Sequence, residues 1–182
     1  MKKLDISGNR SIQKYSGKEF FLRVLWGGAQ WLFRFSPRPC FGFRNWLLRL
    51  FGARVGKQVH IYPSACIYFP WNLEIGDDSS IGEWTLVYNL GKISIGERST
   101  VSHRVHICAG THDYRNPLLP LLKTPIVIGN EVWVCADAFV GPGVTIGTGA
   151  VVGAASSVFA NVSSWNVVGG NPARLINKRE II

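Results

Sequence analysis

Residues 128–163 read IGNEVW VCADAF VGPGVT IGTGAV VGAASS VFANVS, a stretch that divides into sixes without remainder. The sixes open on Ile128, Val134, Val140, Ile146, Val152 and Val158. Val, Ile and Leu make up 47 of the 182 residues, so six such hits by chance have odds of roughly 3 in 10,000. The second slot is Gly at 129, 141, 147 and 153, and the fifth holds Val132, Ala138, Val144, Ala150, Ser156 and Val162, none larger than Val. The first slot continues backwards in triplets: Val55, Ile61, Ile67; Ile75, Ile81, Val87; Ile95, Val101, Ile107. These triplets begin 20 residues apart, against 18 for the pair opening at Ile128 and Ile146. All fifteen slots are aliphatic and β-branched.

A period of six with this much glycine does not suit a helix. It suits a coil of three short strands, each sending one aliphatic side chain inward, with small residues at corners where a Cβ would clash or φ must be positive. Coils stacked at about 4.8 Å make a prism roughly 24 Å long for five turns. The expected fold is an all-β solenoid, a parallel β-helix of about five coils over residues 55–163. Residues 1–54 form an N-terminal cap and 164–182 a C-terminal tail or cap, because a solenoid exposes unpaired edges at both ends. One interruption stands out. Ile107 to Ile128 takes 21 residues where six would do, so about 15 leave the prism in the excursion THDYRNPLLPLLKTP, and a loop near 112–125 that breaks a regular solenoid is a candidate functional element.

Charge is distributed unevenly. Residues 1–57 carry twelve Lys or Arg against Asp5 and Glu19, a net +10 that exceeds the +9 of the whole chain, and they hold half of the 22 aromatic residues. Within them, FFLRVLWGGAQWLFRF at 20–35 reads in two ways: an interfacial membrane anchor, or a plug for the open prism end with its arginines in water. A mixed arrangement, helices packed partly on the prism and touching anionic lipid, is expected. At 16 residues the run is short of the roughly 20 that span a bilayer, and it lacks the features of a secretory signal. No nucleic-acid-binding motif accompanies the charge. Cys40, Cys66, Cys108 and Cys135 form no Cys-x-x-Cys pair, which suits a reducing cytoplasm.

Over residues 52–178 the chain resembles the left-handed β-helix hexapeptide-repeat acyltransferases. The resemblance rests on the repeat, Thr111–His112 before the loop, PIVIGNEVW at 125–133, VGPGVTIG at 140–147 and GNPA at 170–173. PWNLEIG at 70–76, YNLGKISIG at 88–96 and CAGTHDY at 108–114 are similar to the sugar O-acetyltransferases of colanic-acid-type exopolysaccharide clusters, and maltose and galactoside acetyltransferases are similar too. Left-handedness follows from the resemblance alone. So do acetyl-CoA as co-substrate, a saccharide acceptor, a homotrimer with sites between neighbouring prisms, and His112 as general base in a direct transfer without metal. Imidazole is near neutral at pH 7, which suits that role.

On the same footing, Trp84, Tyr88, Asn89, Asp113 and Trp133 are acceptor-side candidates, since sugar sites combine aromatic platforms with planar polar groups. Ala136, Gly153 and Ala154 are candidates for the pantetheine groove, and Arg174, Lys178 and Arg179 for the CoA phosphates. Many relatives carry Thr-Lys near the last coil where this chain has Phe159-Ala160, which puts one phosphate contact in doubt. A peripheral position at the inner membrane face and a lipid-linked acceptor would account for the basic front. An amino-sugar N-acetyltransferase is a close variant, since an amine and a hydroxyl attack the same thioester with a base nearby, and two other readings remain. A γ-carbonic-anhydrase-like metalloenzyme would use His103, His106, Cys108 and His112, although five residues rather than four separate His106 from His112. A non-catalytic trimeric scaffold would use none of them. Cys108 and Cys135 fit small corner residues better than nucleophiles.

Overall fold

The computed structural model describes residues 3–181. Its body is the expected parallel β-helix, with three faces built from strands of two to four residues. The first face stacks Arg54–Val55, Leu73–Ile75, Ile93–Ile95, Ile126–Ile128 and Thr145–Ile146. The second stacks His60–Ile61, Ser80–Ile81, Thr100–Val101, Trp133–Val134, Val151–Val152 and Asn166–Gly169, and the third Cys66–Ile67, Leu86–Tyr88, His106–Cys108, Phe139–Val140 and Ser157–Val158. The first-slot residues are the register partners: Val55 pairs with Ile75, Ile75 with Ile95, Ile95 with Ile128, and Ile128 with Ile146. Apart from the partly buried Val55, all fifteen are among the buried core residues. Burying one such side chain contributes about 1.5–3 kcal/mol, so the column dominates the stability of the prism.

The solenoid is longer than the five coils expected. Ile146 forms a parallel bridge with Val162, and Val152 pairs with Val168, which adds about a sixth turn. Val158 and Val162 are only four positions apart, so the period of six is broken where the chain turns from the third face to the first. Arg174–Lys178 then folds back antiparallel on Asn166–Gly169 and closes the second face.

Glycine at the second slot turns out to serve close packing between coils and not a positive φ. A Cβ on Gly129 would lie 2.7 Å from Thr148 N, and one on Gly147 2.5 Å from Ser164 N. The left-handed residues come two positions later and are mostly not glycine: Asp78, Arg98 and Glu131 along one corner, Trp84, Arg104, Asp137 and Ala155 along the next.

Three helices precede the prism: α1 (Ile6–Ser11), α2 (Gly17–Arg34) and α3 (Phe41–Leu50). A capping box starts α2, with Ser16 Oγ accepting from Glu19 N and Glu19 Oε2 accepting from Ser16 N. Side chains of α2 and α3 satisfy the open edge of the first coil on every face. Trp26 Nε1 and Gln30 Nε2 donate to Ile67 O, Arg44 Nε to Ile61 O, Asn45 Nδ2 to Val59 O, and Arg49 to Val55 O and Gly56 O, all at 2.7–3.0 Å. Arg44 of α3 is fully buried. It donates also to Ser36 Oγ, Pro37 O and Arg38 O, and burial pulls its pKa below the usual arginine value.

Candidate active site

The excursion leaves the prism at the corner between the third and first faces. Its exit strand Thr111–His112 pairs antiparallel with its return strand Leu121–Leu122, so the loop is a short ribbon and not a slack connection. Across that ribbon His112 Nδ1 lies 2.7 Å from Leu119 O. A carbonyl only accepts, so Nδ1 carries a proton, and in the neutral form of this exposed imidazole Nε2 holds the lone pair. A neutral ring held this way can take up a proton at Nε2. Leu119 takes a left-handed φ of +44° to present that carbonyl, a conformation unusual for leucine.

Two acceptor-side candidates share this corner. Tyr88 ends the third-face strand of the second coil, stacks edge-on to Tyr68 at 4.9 Å, and lies against Gly110, two residues before His112. Burial raises the Tyr88 phenol pKa, so it is a neutral donor at pH 7. Asp113 follows His112, its Oδ1 accepting from Arg115 N at 3.0 Å and its N–H donating to Pro120 O at 3.1 Å.

The remaining candidates lie elsewhere on the prism. Trp133 projects half-exposed from the second face and donates Nε1 to Ser102 Oγ at 3.0 Å. In a three-sided prism that face is opposite the His112 corner, across the packed core. Trp84 sits at the corner between the second and third faces with the Arg34 guanidinium 5.0 Å from its ring. Ala136 and Gly153–Ala154 occupy adjacent rungs of that same corner, linked by Ala155 N donating to Ala136 O at 2.9 Å. Arg174 lines a cavity of about 250 Å³ together with Phe159 and Ala160. Lys178, opposite Asn166, is exposed at the far end of the same strand.

No family model matches the chain. It is 43% identical over 176 residues to the protein described as colanic acid biosynthesis acetyltransferase WcaF of Escherichia coli K12, covering 96% of this chain and 97% of the relative. The chain belongs to the hexapeptide-repeat acetyltransferases. A solved structure of a hexapeptide-repeat acetyltransferase of Vibrio cholerae, VCA0836 complexed with acetyl coenzyme A, superposes with a TM-score of 0.83 at 26% identity over 93% of each chain. Galactoside acetyltransferase in complex with coenzyme A shares the fold, with a TM-score of 0.84 at 22% identity over 97% of this chain and 92% of that one.

In this hexapeptide-repeat acetyltransferase one sequence-based assignment is corrected. Asn89 does not face an acceptor: it is wholly buried, with Nδ2 donating to Phe69 O at 2.6 Å and Oδ1 accepting from Phe69 N at 2.9 Å. The chain turns inward after Tyr88, and the amide is spent on holding the corner above it. Arg179 follows Lys178 and is partly engaged. Its Nη1 donates to Glu131 O at 2.7 Å and Gly149 O at 3.1 Å, tying the tail to the corner between the first and second faces. Among the described residues no group of three or more His, Cys, Asp or Glu is placed to hold a metal ion. His103 lies at a corner, His106 on the third face with its edge against Phe139 at 5.3 Å, and His112 on the loop. Sequence reasoning missed Asn9 and Leu119, which contact His112 or its acceptor and belong to no motif.

Proposed function

We propose that the chain is an acetyl-CoA-dependent O-acetyltransferase acting on a sugar hydroxyl in exopolysaccharide assembly, with His112 as general base. The observation that carries the mechanism is the His112 Nδ1 to Leu119 O bond, which leaves Nε2 free. Nε2 takes the hydroxyl proton as the sugar oxygen attacks the thioester carbonyl carbon. The new C–O bond forms, the tetrahedral oxyanion collapses, the C–S bond breaks, and the imidazolium returns its proton to the CoA thiolate. Backbone N–H groups at a coil corner would receive the oxyanion. Ala136, Gly153 and Ala154 line the pantetheine path and Arg174 and Lys178 face the phosphates, while Trp133, Trp84, Tyr88 and Asp113 flank the acceptor.

The division of these groups between opposite sides of the prism supports a homotrimer, in which the His112 loop of one copy meets the Trp133 face of the next. Calorimetry with acetyl-CoA on wild type and His112→Ala, followed by thiol release with an acceptor, tests the reading. Both proteins should bind, and the variant should transfer about 10²–10⁴ times more slowly. No binding by a folded assembly refutes the transferase and favours the non-catalytic scaffold. Equal transfer by both refutes the base.

The N-terminal segment supports peripheral contact with an anionic membrane. Leu22, Trp26, Ala29 and Phe33 turn α2 toward the prism, yet Phe20, Phe21, Val24, Leu25, Trp31, Leu32 and Phe35 on its other side are exposed, as are Phe43, Trp46 and Leu50 of α3. A helix apolar all round needs a second partner. A lipid surface fits because the exposed Lys18, Arg34 and Arg38 accompany the aromatics, and because the +10 charge of residues 1–57 opposes pairing with a second copy of itself. Among the described residues no helix is long and apolar enough to cross a membrane. A lipid-linked acceptor at the cytoplasmic face is the extension of this reading that the basic front supports. The full chain should float with anionic and not with neutral vesicles, and failure to float removes this part of the reading.

A further inference from the structure

The Leu119 carbonyl that accepts from His112 accepts from a second donor. Asn9 of α1, 9% exposed, donates Nδ2 to Leu119 O at 2.9 Å and to Leu118 O at 2.5 Å. The direction of this amide is fixed by its other end, where Oδ1 faces Lys14 Nζ at 2.8 Å, and an ammonium can only donate. Both amide hydrogens therefore point at the loop.

The rest of α1 is fitted to the same place. Asp5, which caps the helix through Gly8 N, donates its own N–H to Pro117 O at 2.9 Å. Gly8 passes so close to the loop that a Cβ there would lie 2.8 Å from Leu118 Cδ2. Behind α1, Lys123 on the return side of the loop reaches Glu19 at 3.7 Å and Lys14 O at 3.4 Å. Leu119, meanwhile, holds a left-handed φ that a leucine keeps only where its surroundings enforce it. Released from Asn9, its carbonyl would be free to turn to water, and the His112 ring would lose the acceptor that selects its tautomer.

We propose that Asn9 is a positioning residue for acetyl transfer: by fixing the Leu119 carbonyl it keeps His112 in the Nδ1–H tautomer and its Nε2 available as the base. This rests on His112 being that base. It also makes the N-terminal segment part of the catalytic apparatus and not only a cap on the prism.

The test uses the full chain with ¹⁵N-labelled histidine. Long-range ¹⁵N–¹H spectra report the tautomer of each of the four histidines, and the His112 signals are those lost in His112→Ala. Asn9→Asp keeps the shape and replaces the donors with a carboxylate oxygen facing two carbonyls; Asn9→Ala removes the group altogether. Both should shift His112 from Nδ1–H to a mixture with Nε2–H, and lower kcat about tenfold, a fraction of the 10²–10⁴ that a general base supplies, with KM for acetyl-CoA unchanged. An unchanged tautomer overturns the proposal, whether kcat is kept or falls together with the thermal midpoint as a structural role would make it. If His112→Ala is fully active, the base reading fails instead, and the tautomer shift still reports whether Asn9 orients the ring.

Discussion

The site cannot be completed within one protomer if His112 and Trp133 both serve it, because they occupy a corner and the face opposite. The perturbation that exposes this is to mix two chains, each defective on one side. His112→Ala removes the base and keeps the second face; Trp133→Ala removes a half-exposed indole from that face and keeps the loop. In a cyclic trimer each site takes the loop from one copy and the face from its neighbour. Equal amounts of the two variants, assembled at random, give about three quarters mixed trimers, and every mixed trimer, whichever variant is in excess, contains one interface of three with both intact halves. Activity should therefore recover to about one quarter of wild type. The assay is co-expression with two affinity tags, tandem purification, and thiol release compared with each pure variant. Purified mixed trimers should reach about one third, since the homotrimers have been removed. Recovery no greater than the weighted mean of the two variants would show that each protomer holds its own site, and the division of the site between copies would be wrong.

Three further outcomes follow from the packing. Gly147→Ala places a Cβ 2.5 Å from Ser164 N and 2.8 Å from Ser164 Cα, whereas Gly153→Ala meets its nearest atom, Val168 O, at 3.2 Å. The first should cost about 1–3 kcal/mol in urea unfolding and the second under about 1 kcal/mol, and equal costs would refute the role given to the second slot. The Glu19 carboxyl is held below its ordinary range, chiefly by the Ser16 backbone N–H and then by the charge of Lys123. A folded pKa below the unfolded one stabilises above the unfolded value and is lost as pH falls through the folded value. The stability advantage of wild type over Glu19→Gln should accordingly vanish in acid, and a constant difference across pH 3–7 (about the carboxylate range) would contradict it. Arg44→Met leaves Ile61 O and Arg38 O without a donor and should cost about 2–4 kcal/mol, which Arg44→Lys should not restore because lysine lacks the fork that reaches four acceptors.

The inward column was legible because one aliphatic residue per six is a requirement of the coil itself, independent of what surrounds it. The sixth turn was not, because Val158 to Val162 shortens the corner to four residues and the period disappears just where the next coil begins. Glycine marked the right slot for one of the two reasons given: at Gly129 and Gly147 the next coil's backbone leaves no room for a Cβ, while left-handed φ falls to Asp78, Arg98 and Glu131. Asn89 was misplaced because a corner polar residue reads the same whether it faces a ligand or clamps the corner, and only its two bonds to Phe69 decide. Arg44 reads as one more cation of the basic front, and its burial depends on four acceptors from two segments, residues 36–38 and Ile61, meeting around it. Asn9 had no signal at all, since its role arises only when α1 meets a loop more than a hundred residues later.

These particulars have a common cause. A solenoid of this kind has no room for a small molecule inside: Ile107, Ile126, Val134, Val140, Ile146 and Val152 are wholly inaccessible and fill the axis. Chemistry must therefore be done on the outside, where a regular strand face offers little to hold a ring or a loop in place. The chain meets that need by breaking its own repeat at Ala109 and by laying α1 over the break, so that Leu119 receives donors from both His112 and Asn9. The segment that closes the open end of the prism is also in position to hold the one loop that leaves it. A cap without that second duty would need only α2 and α3, whose side chains already satisfy the edges of the first coil on all three faces; the contacts of α1 described above go instead to the His112 loop.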